Sequence, residues 1–313
     1  MTSLQREGRV RPAGRTMSIR SVRAVPLGVR TGIALALVSL VGAMAFAWPL
    51  LVGGGSVLAQ NAAAPVVLAG VLLAVVLISL VALGDGGIDA KTVTMLGLLA
   101  AIGAVLRPLS AGSAGVEFVF LFIILGGRVF GAGFGFALGS VTLFASALLT
   151  GGFGPWLPFQ MLAASWIGMG AGLLPCRMRG PLELVSLAGY AAVSGFLYGQ
   201  LMNLSFWPFT LGPGTGLSFL PGAPVLENLH HFALFSLTTS LGWDLMRAVV
   251  LALGVAILGR PVLSALRRTA RIGSFSAWVA PTPDRSGHNS EGTMEGIEKR
   301  GIKPAKTLEK PNM

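Results

Sequence analysis

Arg107 and Glu117 face each other across the short stretch LRPLSAGSAGVE. A guanidinium and a carboxylate at that separation either pair with each other or offer opposite charges to a polar ligand. Gln160 follows the segment GGFGPWLPFQ, and Gln200 and Asn203 stand near the end of a later apolar run. A connection over 205–231 then supplies Phe206, Trp207, Phe209, Phe219, Glu227 and Asn228. In dry surroundings such groups must be satisfied by one another or by a ligand. The first reading is an Arg107–Glu117 ion pair with amides capping helices. The second is a pocket with substrate-binding hooks at Arg107, Glu117, Gln160 and Asn203, closed by Trp156 and Trp207. Either tryptophan serves equally well as an interfacial anchor. Asp244 and Arg247 lie deeper, in TTSLGWDLMRAV, and their i,i+3 spacing puts them on one helical face as an intramembrane charge pair.

Signatures of covalent or metal chemistry are missing from the sequence. It contains no HExxH, no acidic DDxxD-like cluster, no Walker loop and no CxxC. His230 and His231 are adjacent, and neighbours on a helix point ~100° apart, so they do not share a ligand. Their expected place is the mouth of an apolar span. One cysteine, Cys176, excludes an intrachain disulfide and a multi-cysteine metal site. These features predict no catalytic residues, no metal and no cofactor. A polytopic enzyme working on a lipid-linked substrate, with Asp244, Glu117 or His231 as acid or base, is the competing reading.

The elements that carry these residues are transmembrane helices. Of 313 residues, 53% are hydrophobic and only 11% are charged. Mean hydropathy is +0.76. A soluble domain needs roughly 25% charged residues for its skin. Here apolar runs long enough to span a bilayer as helix recur along the chain. They predict eight spans near 31–52, 64–83, 91–109, 116–131, 133–151, 157–175, 183–204 and 232–259. The ~10-residue alternating segments of a membrane β-barrel are absent. Small residues recur at four-residue intervals: Gly131, Gly135 and Gly139; Ala164, Gly168 and Gly172; Gly195 and Gly199; Ala248, Ala252 and Ala256. Such ridges let helices pack closely, so an all-α integral membrane protein with a compact bundle is expected.

The net charge of +11 belongs to the edges of the spans, which argues against nucleic acid as a partner. Seven arginines precede or border the first span (Arg6, Arg9, Arg11, Arg15, Arg20, Arg23, Arg30), and that span shows no cleavage site. Arg128, Arg177 and Arg179 fall in connections on the same side, as do Arg260, Arg267, Arg268 and Arg271. Connections 53–63, 110–115, 152–156 and 205–231 contain neither Lys nor Arg. By the positive-inside rule both termini are cytoplasmic. The polar tails, 1–30 and 266–313, are expected to be disordered.

The stretch 91–259 resembles the substrate-binding S component of energy-coupling factor (ECF) vitamin transporters. The residues that carry it are VLRPLSAGSAGVEFVFLFIILGGRVFGAGFGFALG, LLTGGFGPWLPFQMLAASWIGMGAGLLP and TSLGWDLMRAV. The resemblance implies a six-helix core, here 84–265, preceded by two additional transmembrane helices within 31–83. It implies the binding subunit of an ECF-type ABC importer in the cell membrane, surrounded by lipid and capturing a vitamin or related molecule from outside. Its implied partners are a transmembrane coupling subunit and two cytoplasmic ATPase subunits. The family's AxxxA docking motif maps onto Ala100 and Ala104, with Ala43 and Ala47 offering the same spacing. The segment GFGPWLPFQM is most similar to S components linked to cobalamin or its relatives, and the aromatic loops favour a flat or large amphipathic ligand.

Overall fold

Ten helices and no strand occur among the described residues of the computed structural model. Those residues are 28–51, 64–84, 89–110, 115–175, 177–211 and 214–275, with side chains described to residue 270. In chain order the helices are α1 (Val29–Phe46), α2 (Trp48–Leu51), α3 (Ala64–Gly84), α4 (Ala90–Leu109) and α5 (Val119–Phe130). They continue with α6 (Ala132–Thr150), α7 (Leu157–Leu173), α8 (Pro181–Thr210), α9 (Val225–Thr239) and α10 (Leu241–Phe275). Cys176, loop 53–63, most of the loop over 110–115 and the greater part of both tails lie outside the described residues.

Among the described residues six helices are long and apolar enough to cross a membrane: α1, α3, α4, α6, α8 and α10. The protein is an all-α integral membrane protein. Two of the eight predicted spans, the 12-residue α5 and the 17-residue α7, fall outside that set. At ~1.5 Å per residue α5 covers only about 18 Å. It starts after the non-helical Glu117 and stops at Gly131, whose φ of +99° breaks the path between α5 and α6. Its short length is tolerated because neighbours cover it: Val119 to Leu125 are buried apart from the half-buried Phe122. The predicted last span, 232–259, is two helices. Thr239 turns its hydroxyl back to the Phe235 carbonyl at 2.7 Å, and Thr238 does the same to Leu234 at 2.8 Å. Such back-bonding competes with helix continuation, and the chain bends at Ser240. The tail predicted from 266 instead remains helical to Phe275, and the region read as a loop from 205 is helical to Thr210.

The core is built on glycine. Helix α6 packs most intimately on α7, and a Cβ on Gly135 or Gly168 would strike the other's backbone carbonyl. Gly139 meets the backbone of Ala164 in the same way, and Gly172 meets Ala132. The predicted ridges thus become one seam of backbone contact. Ser140 and Ser165 satisfy each other's hydroxyls inside it at 2.5 Å. Helix α10 lies along α8, while α4 packs on α6 and α5. Helices α1 and α3 pair with each other and lean on α7, where Trp166 Nε1 donates to Ser39 Oγ at 3.0 Å.

One end of the bundle is tied by arginines. Arg128 Nε donates to Glu183 Oε1 at 2.7 Å, and its Nη1 to the Leu174 carbonyl at 2.9 Å. Arg267 reaches the same Glu183 oxygen from α10. Arg128 and Arg267, two of the arginines read from sequence as lying on one side of the membrane, therefore meet on one carboxylate. At the other end, α2, the last turns of α8 and α9 build an aromatic cap. Trp48 stacks on Phe209 and donates to the Ser205 carbonyl at 3.0 Å.

Candidate functional site

Helix α8 brings Tyr198, Gly199, Gln200 and Asn203 against α10. The absent side chain of Gly199 makes room for a carboxylate, because a Cβ there would collide with Asp244 Oδ1. Asp244 is almost fully buried and completely satisfied. Its Oδ1 accepts from Arg247 Nη1 at 2.7 Å, and its Oδ2 accepts from Gln200 Nε2 at 2.9 Å and Asn203 Nδ2 at 3.2 Å. Ser236 on α9 completes the chain by donating to Gln200 Oε1 at 2.8 Å.

Arg247 extends the network away from Asp244. Its Nη2 donates to Glu117 Oε1 at 3.2 Å, and its guanidinium lies 5.5 Å from the centre of the Tyr198 ring. Glu117 therefore pairs with Arg247, which corrects the first of the two sequence readings, an Arg107–Glu117 ion pair. Arg107 is held at the end of α4 by Gln160, whose Oε1 accepts from its Nη2 at 2.8 Å. Among the described residues no carboxylate is within ion-pair distance of Arg107.

These groups surround a cavity of about 350 Å³. Arg107, Glu117 and Arg247 supply its charges, Ser146 and Thr150 its hydroxyls, and Trp156 and Trp243 its exposed aromatic rim. Gly115 contributes a close approach, with φ +92° and no space for a Cβ beside the Trp243 carbonyl. Two lining atoms are buried without a hydrogen-bond partner: the Ser146 hydroxyl and Arg247 Nε. A buried polar atom without a partner costs free energy, ~1–3 kcal/mol each.

Of the six sequence-predicted binding residues, Arg107, Glu117 and Trp156 share this cavity. Gln160 stands behind it and positions Arg107. Asn203 serves Asp244 instead of lining the space. Trp207 does not close over it. It is wholly buried in the aromatic cap with Phe232 and Phe235, and its Nε1 donates to the Leu217 carbonyl at 2.7 Å. The reason is that the segment around it is helix, so a side chain read as a loop lid points into packing. Ser146, Thr150 and Trp243 were missed. Ser146 and Thr150 sit at i,i+4 on α6, and that spacing was their only signal.

The pair expected to form a docking ridge faces inward. Ala100 and Ala104 are 2% and 1% exposed, turned into the bundle beside Gly103, which approaches Thr142 of α6. A partner has no access to them. The outward face of α4 carries Gly97 and Ala101 at the same four-residue spacing. His231 Nδ1 is 2.9 Å from the Ser218 carbonyl, and among the described residues no three His, Cys, Asp or Glu side chains gather as metal ligands.

No curated protein and no solved structure matches the chain. Residues 91–259, more than half of the chain, match the family described as "ECF transporter, substrate-specific component". The matched stretch runs from the first turn of α4 to Gly259 in α10 and contains every charged residue of the cavity. With its helical membrane architecture and a matched stretch of this length, the chain belongs to the family of substrate-specific components of ECF transporters.

Proposed function

We propose that this protein captures a small anionic organic molecule, a vitamin or a compound of that class, in the cavity beneath Arg107. It then hands the molecule inward as part of an ECF-type ABC importer. The observation that carries this reading is the Arg107 guanidinium, without a carboxylate partner among the described residues, in the wall of a cavity that Ser146 and Thr150 also line. Arginine offers five N–H donors in a planar fork, and one of its nitrogens is already occupied by Gln160. The remaining donors suit a carboxylate or phosphate. Arg247 is shared by Asp244 and Glu117, so with Arg107 these four groups sum to zero, and Arg107 is the guanidinium of the cavity left without a carboxylate partner among the described residues.

Size narrows the ligand further. A space of about 350 Å³ lies at the lower end of the ~300–1,000 Å³ range for small-molecule sites. A corrin ring with its side chains is far larger, so the cobalamin-like ligand suggested by GFGPWLPFQM gives way to a compact one. Trp156 and Trp243 provide flat apolar faces for the rest of the molecule.

Both termini are assigned to the cytoplasm, which places the arginine-tied end inside and the cavity outside. The six helices α4–α8 and α10 form the transporting core, and α1 and α3 are an addition on the α7 side. The exposed face of α4 at Gly97 and Ala101 is the docking surface for the transmembrane coupling subunit, which brings two cytoplasmic ATPase subunits. Purification in mild detergent after co-expression with an ECF module tests the reading. A single small anionic compound should be released on denaturation and identified by mass spectrometry, together with the module's subunits. A preparation that carries neither, and that binds no anionic vitamin in a calorimetric screen, overturns it.

A further inference from the structure

The arginine-tied end holds a second, larger cavity, about 970 Å³, between the start of α8 and the last turns of α10. Arg260, Arg267 and Arg268 line it from α10, and Glu183 and Leu184 from α8. Glu183 is already held by Arg128 and Arg267. Arg260 and Arg268 are exposed and have no hydrogen-bond or ion-pair partner among the described residues. The cavity therefore presents two uncompensated guanidinium groups.

The helix that carries them leads straight from an apolar face. Leu253 and Ile257 are exposed at 55% and 71%, in the part of α10 suited to crossing a membrane. Arg260, Ser264 and Arg268 follow on the same face, at helical spacings of three and four from Ile257 onward. An acyl chain lying along Leu253 and Ile257 would bring its headgroup to Arg260, and Arg268 stands roughly 12 Å further at ~1.5 Å per residue. Leu184 and the buried Leu263 give the cavity an apolar wall. A soluble anion would use only the arginines, whereas a phospholipid uses the whole stripe.

We propose that this cavity binds the phosphate-bearing headgroup of an anionic phospholipid, with its acyl chains on the Leu253–Ile257 face of α10. The site lies at the opposite end of the protein from the substrate cavity and does not depend on the ligand assigned there. Bound lipid would brace α10 against α8 beside the Glu183 pairs.

Native mass spectrometry of the full chain, released from nanodiscs of equal phosphatidylcholine and phosphatidylglycerol, tests this. Retained lipid should be phosphatidylglycerol at least fivefold over phosphatidylcholine. Arg260→Gln with Arg268→Gln should abolish the preference, whereas Arg177→Gln with Arg179→Gln, the same charge change outside the cavity, should leave it intact. Equal loss in both pairs would show attraction by bulk charge and overturn the site, as would full retention in the Arg260/Arg268 pair. Thermal stabilisation by soluble glycerol 3-phosphate equal to that by phosphatidylglycerol would mean a soluble anion site and also overturn it. Both variant pairs involve exposed arginines without partners among the described residues, so folding is preserved; unchanged melting of each confirms that.

Discussion

Arg247 Nη2 meets Glu117 Oε1 at 3.2 Å, joining α10 to the residue that precedes α5. The same guanidinium holds Asp244 through Nη1 at 2.7 Å. One cation thus serves two carboxylates, one buried and one at the cavity wall, and Tyr198 packs near its face. This arrangement fixes the cavity floor and leaves Arg107 as the cation without a carboxylate. Each unsatisfied member of such a buried network is costly, and here Arg247 Nε is the guanidinium nitrogen left without a partner.

Arg107→Ala should weaken binding of the co-purified anion by roughly 10- to 150-fold, the equivalent of ~1.5–3 kcal/mol for a hydrogen bond to a charged group. Its melting temperature should stay close to that of the unaltered protein, since Arg107 holds no buried carboxylate. Gln160→Ala should weaken binding less, because it only loosens the orientation of Arg107. Isothermal calorimetry with thermal unfolding separates these outcomes. Unchanged affinity in Arg107→Ala would show that the anion binds elsewhere.

Gly199→Ala should destabilise the bundle by ~1–3 kcal/mol, the usual cost of overpacking a fitted interior. The added methyl would push the Asp244 carboxylate off Gln200 and Asn203. Gly189 on the same helix has open space around the site of a Cβ and is exposed, so Gly189→Ala should be neutral or slightly stabilising. Thermal unfolding in a single detergent compares the two. Equal effects would show that the α8–α10 seam is not tight at Gly199.

Trp at Gly97 or Ala101 should abolish co-purification with the coupling subunit while calorimetric ligand binding is retained. Both positions are exposed, and a Cβ at Gly97 meets nothing. Ala100→Trp should instead reduce the amount of folded protein, because Ala100 has no room inside the bundle. Normal partner recovery by the Gly97 and Ala101 variants would move the docking face off α4.

The sequence by itself determined the class, the approximate spans and the local pairs. Apolar length alone reports a membrane helix. Gly135, Gly139, Ala164 and Gly168 announced their seam because small residues at four-residue spacing have few other uses. Asp244 and Arg247 were legible as a pair because i,i+3 contact is a property of the helix itself. Tertiary structure decided the rest. Glu117 had two arginines within plausible reach, and only the packing of α10 on α5 and α8 delivered Arg247 to it. Ala100–Ala104 and Gly97–Ala101 have the same spacing on one helix, yet opposite exposures. In a soluble helix the polar face would have marked the outside, but lipid accepts apolar side chains all round, so periodicity carried no such information. Trp207 reads equally as lid, anchor or core until α9 is set against α8, and only then does Phe232 enclose it.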